Sequence, residues 1–229
     1  MTRALGLASL LLALAVPARA DFVLNNLRQI LYHEVGHAVI DQMEVPLFGP
    51  EETAADGFAL LLADRLHDEA TLRAIVADVV RLARVEAMGE LFDPWRDYMP
   101  GAQRLAWAIC VYYGLRPEAR GDHARALGLP PGRAPDCETA GQRVRAAWNP
   151  ILARMHRAPG SPAALRPSAR GKALRLLAGD IAAVNRVIAL PRPVPVSGER
   201  CGEDNAFYYH GDERIAFCDE LFPALDAAR

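Results

Sequence analysis

Residues 22–43 read FVLNNLRQILYHEVGHAVIDQM. Apolar side chains recur in this stretch at the three- and four-residue spacings of one face of an α-helix; they are Val23, Leu27, Ile30, Leu31, Val35, Ala38 and Val39. We therefore predict a helix over residues 22–43, with Asn25 or Asn26 capping its start. Because the apolar residues include the neighbours of two histidines, we expect those histidines to lie near the core.

The same stretch contains His33-Glu34-Val35-Gly36-His37, an H-E-x-x-H pattern. Four residues of helix turn through about 400°, so the two imidazoles lie about 40° apart and about 6 Å apart along the axis. Both can then reach one metal ion, while Glu34 can address a metal-bound water. The alternative is an ordinary solvated helix face, but a buried histidine pair without a partner would be costly. The pattern therefore favours a metal site.

A catalytic zinc site usually has three protein ligands and a water, so a third ligand is needed. Glu52 and Asp56 are four residues apart in a predicted helix over residues 51–66, and they share one face of it. We assign Glu52 as the third ligand, with Glu51 as the alternative. Asp56 is predicted to bond the far nitrogen of a ligating histidine and fix its tautomer. Two imidazoles and a carboxylate suit a single Zn²⁺ ion.

The composition is that of a globular protein. The chain has 229 residues, of which 52% are hydrophobic and 24% charged, and this length can bury a core. The formal net charge is −2, and no concentrated basic stripe is visible. We therefore expect no nucleic-acid partner.

Residues 1–20 have the features of a secretory signal peptide: Arg3, an apolar run over 5–16 and an A-x-A site at 18–20. We expect the mature chain, residues 21–229, to be a single exported domain, periplasmic or secreted. Because no later apolar run approaches 18 residues, we expect no stable membrane insertion after cleavage of the signal.

Four cysteines would then meet an oxidising compartment. Three pairings are possible, and we favour Cys110–Cys137 and Cys201–Cys218 because each pair brackets a local segment. A cysteine-rich zinc site is the weaker alternative, since no C-x-x-C spacing occurs.

Further secondary structure follows from periodicity and from proline and glycine positions. Additional helices are predicted over residues 68 or 71 to 88, 102–113, 117–127, 139–155, 169–189 and 219–228. Residues 158–168 are expected to form a linker or exposed loop, and the prolines of 191–198 favour an extended chain. Residues 205–209 and 214–217 are predicted to pair as a β-hairpin. The predicted fold class is mainly α (α+β), with a small β element.

Taken together, these motifs resemble those of a known class of zinc peptidases. HEVGH followed by E-x-x-A-D-x-x-A resembles the gluzincin zinc peptidases, and more closely a bacterial metallopeptidase family catalogued as domain of unknown function 4344. That family has HExxH-A, a short loop with Pro and Gly, and EE-x-x-AD-x-x-A; here these are residues 33–38, Pro46, Gly49 and residues 51–59. Softer matches are Gln103-Arg104, residues 110–114, residues 129–137 and Trp148. The resemblance implies a zincin-like helical domain, with the hairpin beside the active-site helix, that acts on peptides or proteins.

Residues 201–208, CGEDNAFY, also resemble this family. The N-A-F-aromatic run is similar to the edge strand that pairs with substrate in thermolysin-like peptidases. By that resemblance Asn205, Ala206 and Tyr208 would line the cleft, where a strand edge offers free backbone groups to a peptide. The alternative is a hairpin packed only for stability.

Two features depart from the family. The CGxxNAFY block usually precedes the HExxH helix, whereas here it follows, which suggests that segment 201–229 is circularly permuted. The hairpin over 205–217 should then pack beside helix 22–43. The family also tends to carry a histidine before its Gln-Arg pair, where this chain has Tyr98. Tyr98 is thus our candidate for stabilising the oxyanion; His123, His156 and His210 are the other candidates.

The functional prediction is an exported zinc-dependent metallopeptidase in which Glu34 is the general base. One alternative is a non-catalytic zinc- or peptide-binding protein of the cell envelope. Another is a structural protein whose histidines are core residues.

Overall fold

The computed structural model describes residues 19–168 and 170–229; most of the predicted signal peptide, residues 1–18, lies outside the described residues. The described chain is mainly helical, with one four-stranded sheet. Its helices are α1 Arg19–Gln42, α2 Glu51–Leu66, α3 Glu69–Met88, α4 Gly101–Leu115, α5 Pro117–Ala126, α6 Ala134–Arg154, α7 Lys172–Leu176, α8 Ala178–Val187 and α9 Leu221–Ala227; its strands are β1 Leu165–Pro167, β2 Val194–Glu199, β3 Ala206–Tyr209 and β4 Arg214–Cys218. The predicted fold class is confirmed.

Helix α1 lies at the centre of the core, and its predicted apolar face is buried except at Ile30, which is partly buried. Helix α2 crosses α1 at Gly36, where an added Cβ would stand 3.1 Å from the Cα of Ala55. The absent side chain therefore lets the two helices approach closely. This crossing brings the H-E-x-x-H residues of α1 to the acidic first turns of α2.

The prediction that Asn25 or Asn26 caps α1 is wrong, because the helix begins at Arg19 and both residues lie in its interior. The Asn26 amide donates to the carbonyl of Phe22, one turn earlier, and the Asn25 amide donates to Asp78 of α3. These buried side chains obtain their bonds from the helix and from its neighbour, which a short sequence window does not show.

Helices α3 to α6 pack around the α1–α2 pair. Asp68 accepts a hydrogen bond from the Thr71 N–H and caps α3. Of the two starts predicted for this helix, residues 68 and 71, the first is therefore confirmed. Helix α6 begins at Ala134 instead of residue 139, and Pro135 is accommodated in its first turn, where no N–H is required. The Cys110–Cys137 disulfide joins α4 to α6.

The sheet has the order β1-β2-β4-β3, in which β1–β2 and β2–β4 are parallel and β3–β4 is the predicted antiparallel hairpin. The prediction of a linker over residues 158–168 is wrong in part, because Leu165 to Pro167 form the edge strand β1. The side-chain amide of Asn185 bonds both the N–H and the C=O of Leu165. A distant side chain thus holds a strand too short to show in the local pattern.

The single helix predicted over residues 169–189 is instead two helices, α7 and α8, separated at Leu177; Ala169 lies outside the described residues. The side chain of Leu177 is completely buried. Breaking the helix there lets α7 contact β2 while α8 contacts β1. Packing on the sheet therefore outweighs the helical preference of the segment.

The hairpin β3–β4 packs against α1, where the Tyr208 hydroxyl donates to Asp41 at 2.6 Å. This is the arrangement that the circular-permutation hypothesis requires, and the permutation itself stays a prediction. The second disulfide, Cys201–Cys218, ties β4 to the segment before β3. Both predicted pairings are thus confirmed, and such bonds persist in oxidising compartments.

Among the described residues, no helix combines the length and the apolar character that crossing a bilayer demands.

Candidate metal centre

Three acceptor atoms from α1 and α2 converge at one point. His33 Nε2 lies 3.0 Å from His37 Nε2 and 3.0 Å from Glu52 Oε2, and His37 Nε2 lies 3.5 Å from the same Glu52 oxygen. The two histidines are buried, with 6% and 7% of their surface exposed, and Glu52 is mostly covered. The three residues predicted as metal ligands are therefore brought together.

Each histidine is also held from behind by a carboxylate. Asp56 lies 2.8 Å from His33 Nδ1, and Glu51 lies 2.7 Å from His37 Nδ1. Because an ionised carboxylate only accepts hydrogen bonds, each Nδ1 carries a hydrogen, and in the neutral rings the Nε2 lone pairs are then left for a metal at the common point. Glu51, considered above as an alternative ligand, lies on the Nδ1 side of His37 and not at the point shared with His33 and Glu52; this contact was not predicted.

This donor set fits a zinc ion. Zinc binds imidazole nitrogen and carboxylate oxygen at about 2.0–2.2 Å, so ligand atoms of a tetrahedral site are about 3.3 Å apart. The observed spacings of 3.0–3.5 Å match that value. Three buried lone pairs facing one another also repel unless a cation lies between them. The geometry therefore calls for a shared positive charge, and His33, His37 and Glu52 would hold it.

The electrostatics of the site favour a cation for the same reason. Burial alone would lower the pKa of His33, but hydrogen bonds with Asp56 and Glu52 outweigh it and raise that pKa to about 9. Burial would raise the pKa of Glu52, yet its hydrogen bonds with His33 and His37 hold that pKa below the usual value. The acids thus create a strongly negative pocket in which a metal ion replaces the protons.

Arg104 of α4 anchors the acid behind His33. Its Nε and a terminal nitrogen donate to the two oxygens of Asp56 at 2.6 and 2.7 Å, a bidentate pair. Arg104 was noted in the sequence only as part of a Gln-Arg pair, and nothing local links it to Asp56, 48 residues earlier. The chain Arg104–Asp56–His33 therefore becomes visible only in the tertiary structure.

Glu34 lies beside the convergence point and is 5% exposed. Burial raises the pKa of its carboxyl, while the charges of His33 and His37 and the Tyr208 N–H lower it. The last contact means that strand β3 reaches the carboxyl from the hairpin side. A shielded carboxyl with a raised pKa is suited to accept and release a proton.

Of the four oxyanion candidates, the structure places two next to this centre. The Tyr98 ring stacks on His33 with centroids 6.4 Å apart, and its hydroxyl lies near the Glu52 carboxylate. Burial and the charge of Glu52 raise the pKa of Tyr98, so the hydroxyl keeps its proton. His210, at the end of β3, has its ring centroid 6.3 Å from that of His37.

The other two candidates have different surroundings. His123 bonds the Tyr112 hydroxyl between α5 and α4, and His156 forms a backbone bridge with Ile188. Neither contact connects it with the convergence point.

The residues predicted to line the cleft lie on the hairpin beside α1. The Cys218 N–H donates to the carbonyl of Asn205, which sets the alternation of the β3–β4 ladder. By that alternation the backbone groups of Ala206 and Tyr208 point away from β4, toward the outer edge of β3. The Asn205 side chain turns back and accepts from the Ala206 N–H at 2.9 Å.

Replacing Asp56 with asparagine should weaken zinc binding about 10–100-fold, because outer partners of ligating histidines typically contribute that much. Competition with a chromogenic chelator measures the affinity. The matched control is Asp122→Asn, whose side chain is 98% exposed on α5 and should not change it. Equal zinc affinity in Asp56→Asn and the unmodified protein, with both folded by circular dichroism, would contradict the assigned role of Asp56.

Comparisons with known proteins agree with this geometry. The model of the family described as “Putative metallopeptidase”, domain of unknown function 4344, matches residues 15–152. No curated protein and no solved structure matches the chain. The matched segment includes α1 and α2 with the whole convergence point, and Arg104 of α4. Because the match covers more than half of the sequence, the chain belongs to this metallopeptidase family.

Proposed function

We propose that the protein is an exported zinc-dependent metallopeptidase of the gluzincin type, which hydrolyses peptide bonds with Glu34 as general base. The observation that carries this proposal is the convergence of His33 Nε2, His37 Nε2 and Glu52 Oε2 within 3.5 Å, with the Glu34 carboxyl beside them. Family membership supports the same chemistry.

In the proposed mechanism zinc supplies Lewis-acid chemistry, and side chains of the protein transfer the protons. When bound, zinc acts as a Lewis acid that lowers the pKa of water toward about 7 and polarises the scissile carbonyl. Glu34 then takes a proton from water and returns it to the leaving amine. The Tyr208 N–H and the charges of the flanking histidines stabilise the ionised form of the Glu34 carboxyl.

Tyr98 is the proposed donor to the oxyanion. Its hydroxyl is protonated, sits by Glu52, and is backed by the Arg104 guanidinium 4.7 Å from the ring centroid. Donors placed where negative charge develops typically contribute about 3 kcal/mol to the transition state. His210 would be the alternative donor, from the opposite side of the centre.

The substrate is proposed to bind as an extended strand along β3. That strand pairs with β4 on one side only, and the backbone groups of Ala206 and Tyr208 point to its outer edge, toward α1. A peptide added there would donate to the carbonyls of Ala206 and Tyr208 by strand addition, since the Ala206 N–H is already bonded to the Asn205 side chain. Asn205 would shape the start of this edge through its bond to the Ala206 N–H.

Export is proposed from two features that agree. The first is the signal-like sequence over residues 1–20, and the second is the pair of disulfides. Both indicate a periplasmic or extracellular protein. The order of the blocks along the chain is proposed to reflect circular permutation of segment 201–229.

Removing the metal should abolish hydrolysis. The purified protein should contain one zinc ion per chain, lose cleavage of a fluorogenic peptide library after dialysis against a chelator, and regain it when zinc is returned. His37→Ala should lose the metal, whereas His156→Ala, an exposed histidine outside the centre, should keep it. Metal content by atomic emission and cleavage by fluorescence give the two readouts.

The outcomes separate the possible functions. A protein that binds zinc and library peptides without cleaving any would be a binding module, and the peptidase proposal would be wrong. A protein that carries no metal and binds none when zinc is added would be a structural protein whose histidines are core residues, and the peptidase proposal would again be wrong.

A further inference from the structure

The end of α3 and the loop after it expose an unusual number of large apolar side chains. They are Val85, Met88, Leu91, Phe92 and Trp95, and the last three are 88%, 76% and 91% exposed. Single exposed apolar residues are common, but a concentration of this kind usually marks a binding surface. This segment is therefore a candidate binding surface.

A cavity of about 210 Å³ opens within the same segment. Its walls are Ala87, Leu91, Phe92, Tyr98, Pro100 and Ala102, and charged side chains of the loop complete its rim. Pockets for whole small molecules measure about 300–1,000 Å³. The smaller volume suits a single side chain.

The loop around this cavity is held in a defined shape. Glu90, at its start, accepts hydrogen bonds from the Gly101 N–H at its end and from Arg96. Asp93 accepts from the Trp95 N–H at 2.9 Å, which closes a turn within the loop. The apolar side chains are therefore presented by a closed loop, whose two ends are tied together.

Tyr98 connects the cavity to the metal centre. This residue lines the cavity, while its ring stacks on His33 with centroids 6.4 Å apart. Tyr98 therefore borders both the cavity and the metal centre. Because one residue borders both sites, the side chain that fills the cavity should belong to a peptide bound at the metal centre.

We propose that this cavity, named here the Tyr98 pocket, binds an aliphatic or aromatic side chain of the peptide substrate next to the scissile bond. The inference rests on the proposed function, since it places the peptide at the metal centre. The segment over residues 86–97 carries four acids and one arginine. This charge opposes docking on an anionic bilayer, and it favours peptides whose neighbouring residues are neutral or basic.

The test fills the pocket with a larger side chain in its wall. Ala102 is exposed on α4, so Ala102→Phe should fold normally while occupying the cavity. The matched control is Ala106→Phe, an exposed alanine one turn further along the same helix that does not line the cavity. Peptides that differ only in carrying Leu, Phe, Ala or Asp at each position around the cleavage site serve as substrates, and kcat/KM is measured for each.

The unmodified protein and Ala106→Phe should prefer Leu or Phe at one position by at least about tenfold over Ala, in the range expected for an apolar pocket. Ala102→Phe should lose that preference, so that kcat/KM for the Leu and Phe peptides falls at least about tenfold, to the value for the Ala peptide. Retention of the full preference in Ala102→Phe would overturn the proposal.

A binding measurement separates this inference from the peptidase proposal. Affinities of the same peptides for the zinc-loaded Glu34→Gln protein are measured by fluorescence anisotropy, with and without Ala102→Phe. If no peptide is cleaved but the Leu and Phe peptides still bind in preference and lose this preference in Ala102→Phe, the pocket stands and the peptidase proposal fails. If Trp95 fluorescence responds to phosphatidylglycerol vesicles and not to peptides, the surface is a membrane contact and the pocket proposal is wrong.

Discussion

Glu34→Gln should leave the zinc ion bound and reduce peptide hydrolysis about 10²–10⁴-fold, the range that a positioned proton-transfer group contributes. The amide has the size of the carboxylate and its oxygen can still accept from the Tyr208 N–H. It cannot take up a proton at neutral pH. The loss should therefore fall on kcat, with little change in peptide affinity.

The decisive measurement pairs metal content with single-turnover hydrolysis of one good library peptide. Glu118→Gln is the matched control, because Glu118 is an exposed acid on α5 whose loss should leave the rate unchanged. Turnover in Glu34→Gln at the rate of the unmodified protein would reject Glu34 as the base. Loss of zinc together with activity would show instead that the residue holds the site together.

The central part of this site could be predicted because its geometry is local. His33 and His37 share a helix face, as do Glu52 and Asp56, and each spacing of four residues fixes two side chains on one side of a cylinder. The predicted bounds of α2 are those observed, Glu51–Leu66. Beyond this local geometry, the prediction of the site depended on one long-range contact, the packing of α2 against α1.

Residues that depend on a second long-range contact escaped prediction. Glu51 lies about 100° around the helix from Glu52 and was considered only as an alternative ligand, yet it reaches His37 Nδ1 because the first turn of α2 faces the end of α1. Arg104 reaches Asp56 only through the packing of α4 against α2. Partners behind a metal ligand are set by tertiary packing, so local periodicity gives no sign of them.

The β-sheet shows the same division. The hairpin β3–β4 is a local feature and was predicted, whereas the three-residue strand β1 pairs with β2 almost 30 residues later in the chain. Its parallel partner and the bracing amide of Asn185 lie far away in sequence. Proline-rich segments predict a loop unless such a partner is known, since proline withholds a backbone donor.

Gly141→Ala should destabilise the fold by at least about 3 kcal/mol, a large share of a typical total of about 5–15 kcal/mol. Helices α4 and α6 touch backbone to backbone: a Cβ on Gly141 would stand 2.6 Å from the Gly114 Cα, and a Cβ on Gly114 would stand 2.9 Å from the Gly141 N. Neither neighbour is a flexible side chain. The Cys110–Cys137 disulfide beside the crossing also prevents the helices from moving apart.

Denaturation in guanidinium with the disulfides intact measures the change, and Gly179→Ala is the control. Gly179 is also a helical glycine, in α8, but an added Cβ there meets nothing within 4 Å. That variant should gain up to about 1 kcal/mol from helix propensity. Because α4 carries Arg104, the Gly141→Ala protein should also bind zinc less tightly, at denaturant concentrations where it is still folded. Equal stability of the two alanine variants would mean that α4 and α6 can separate without cost, and that the close helix crossing does not fix the position of Arg104 behind Asp56.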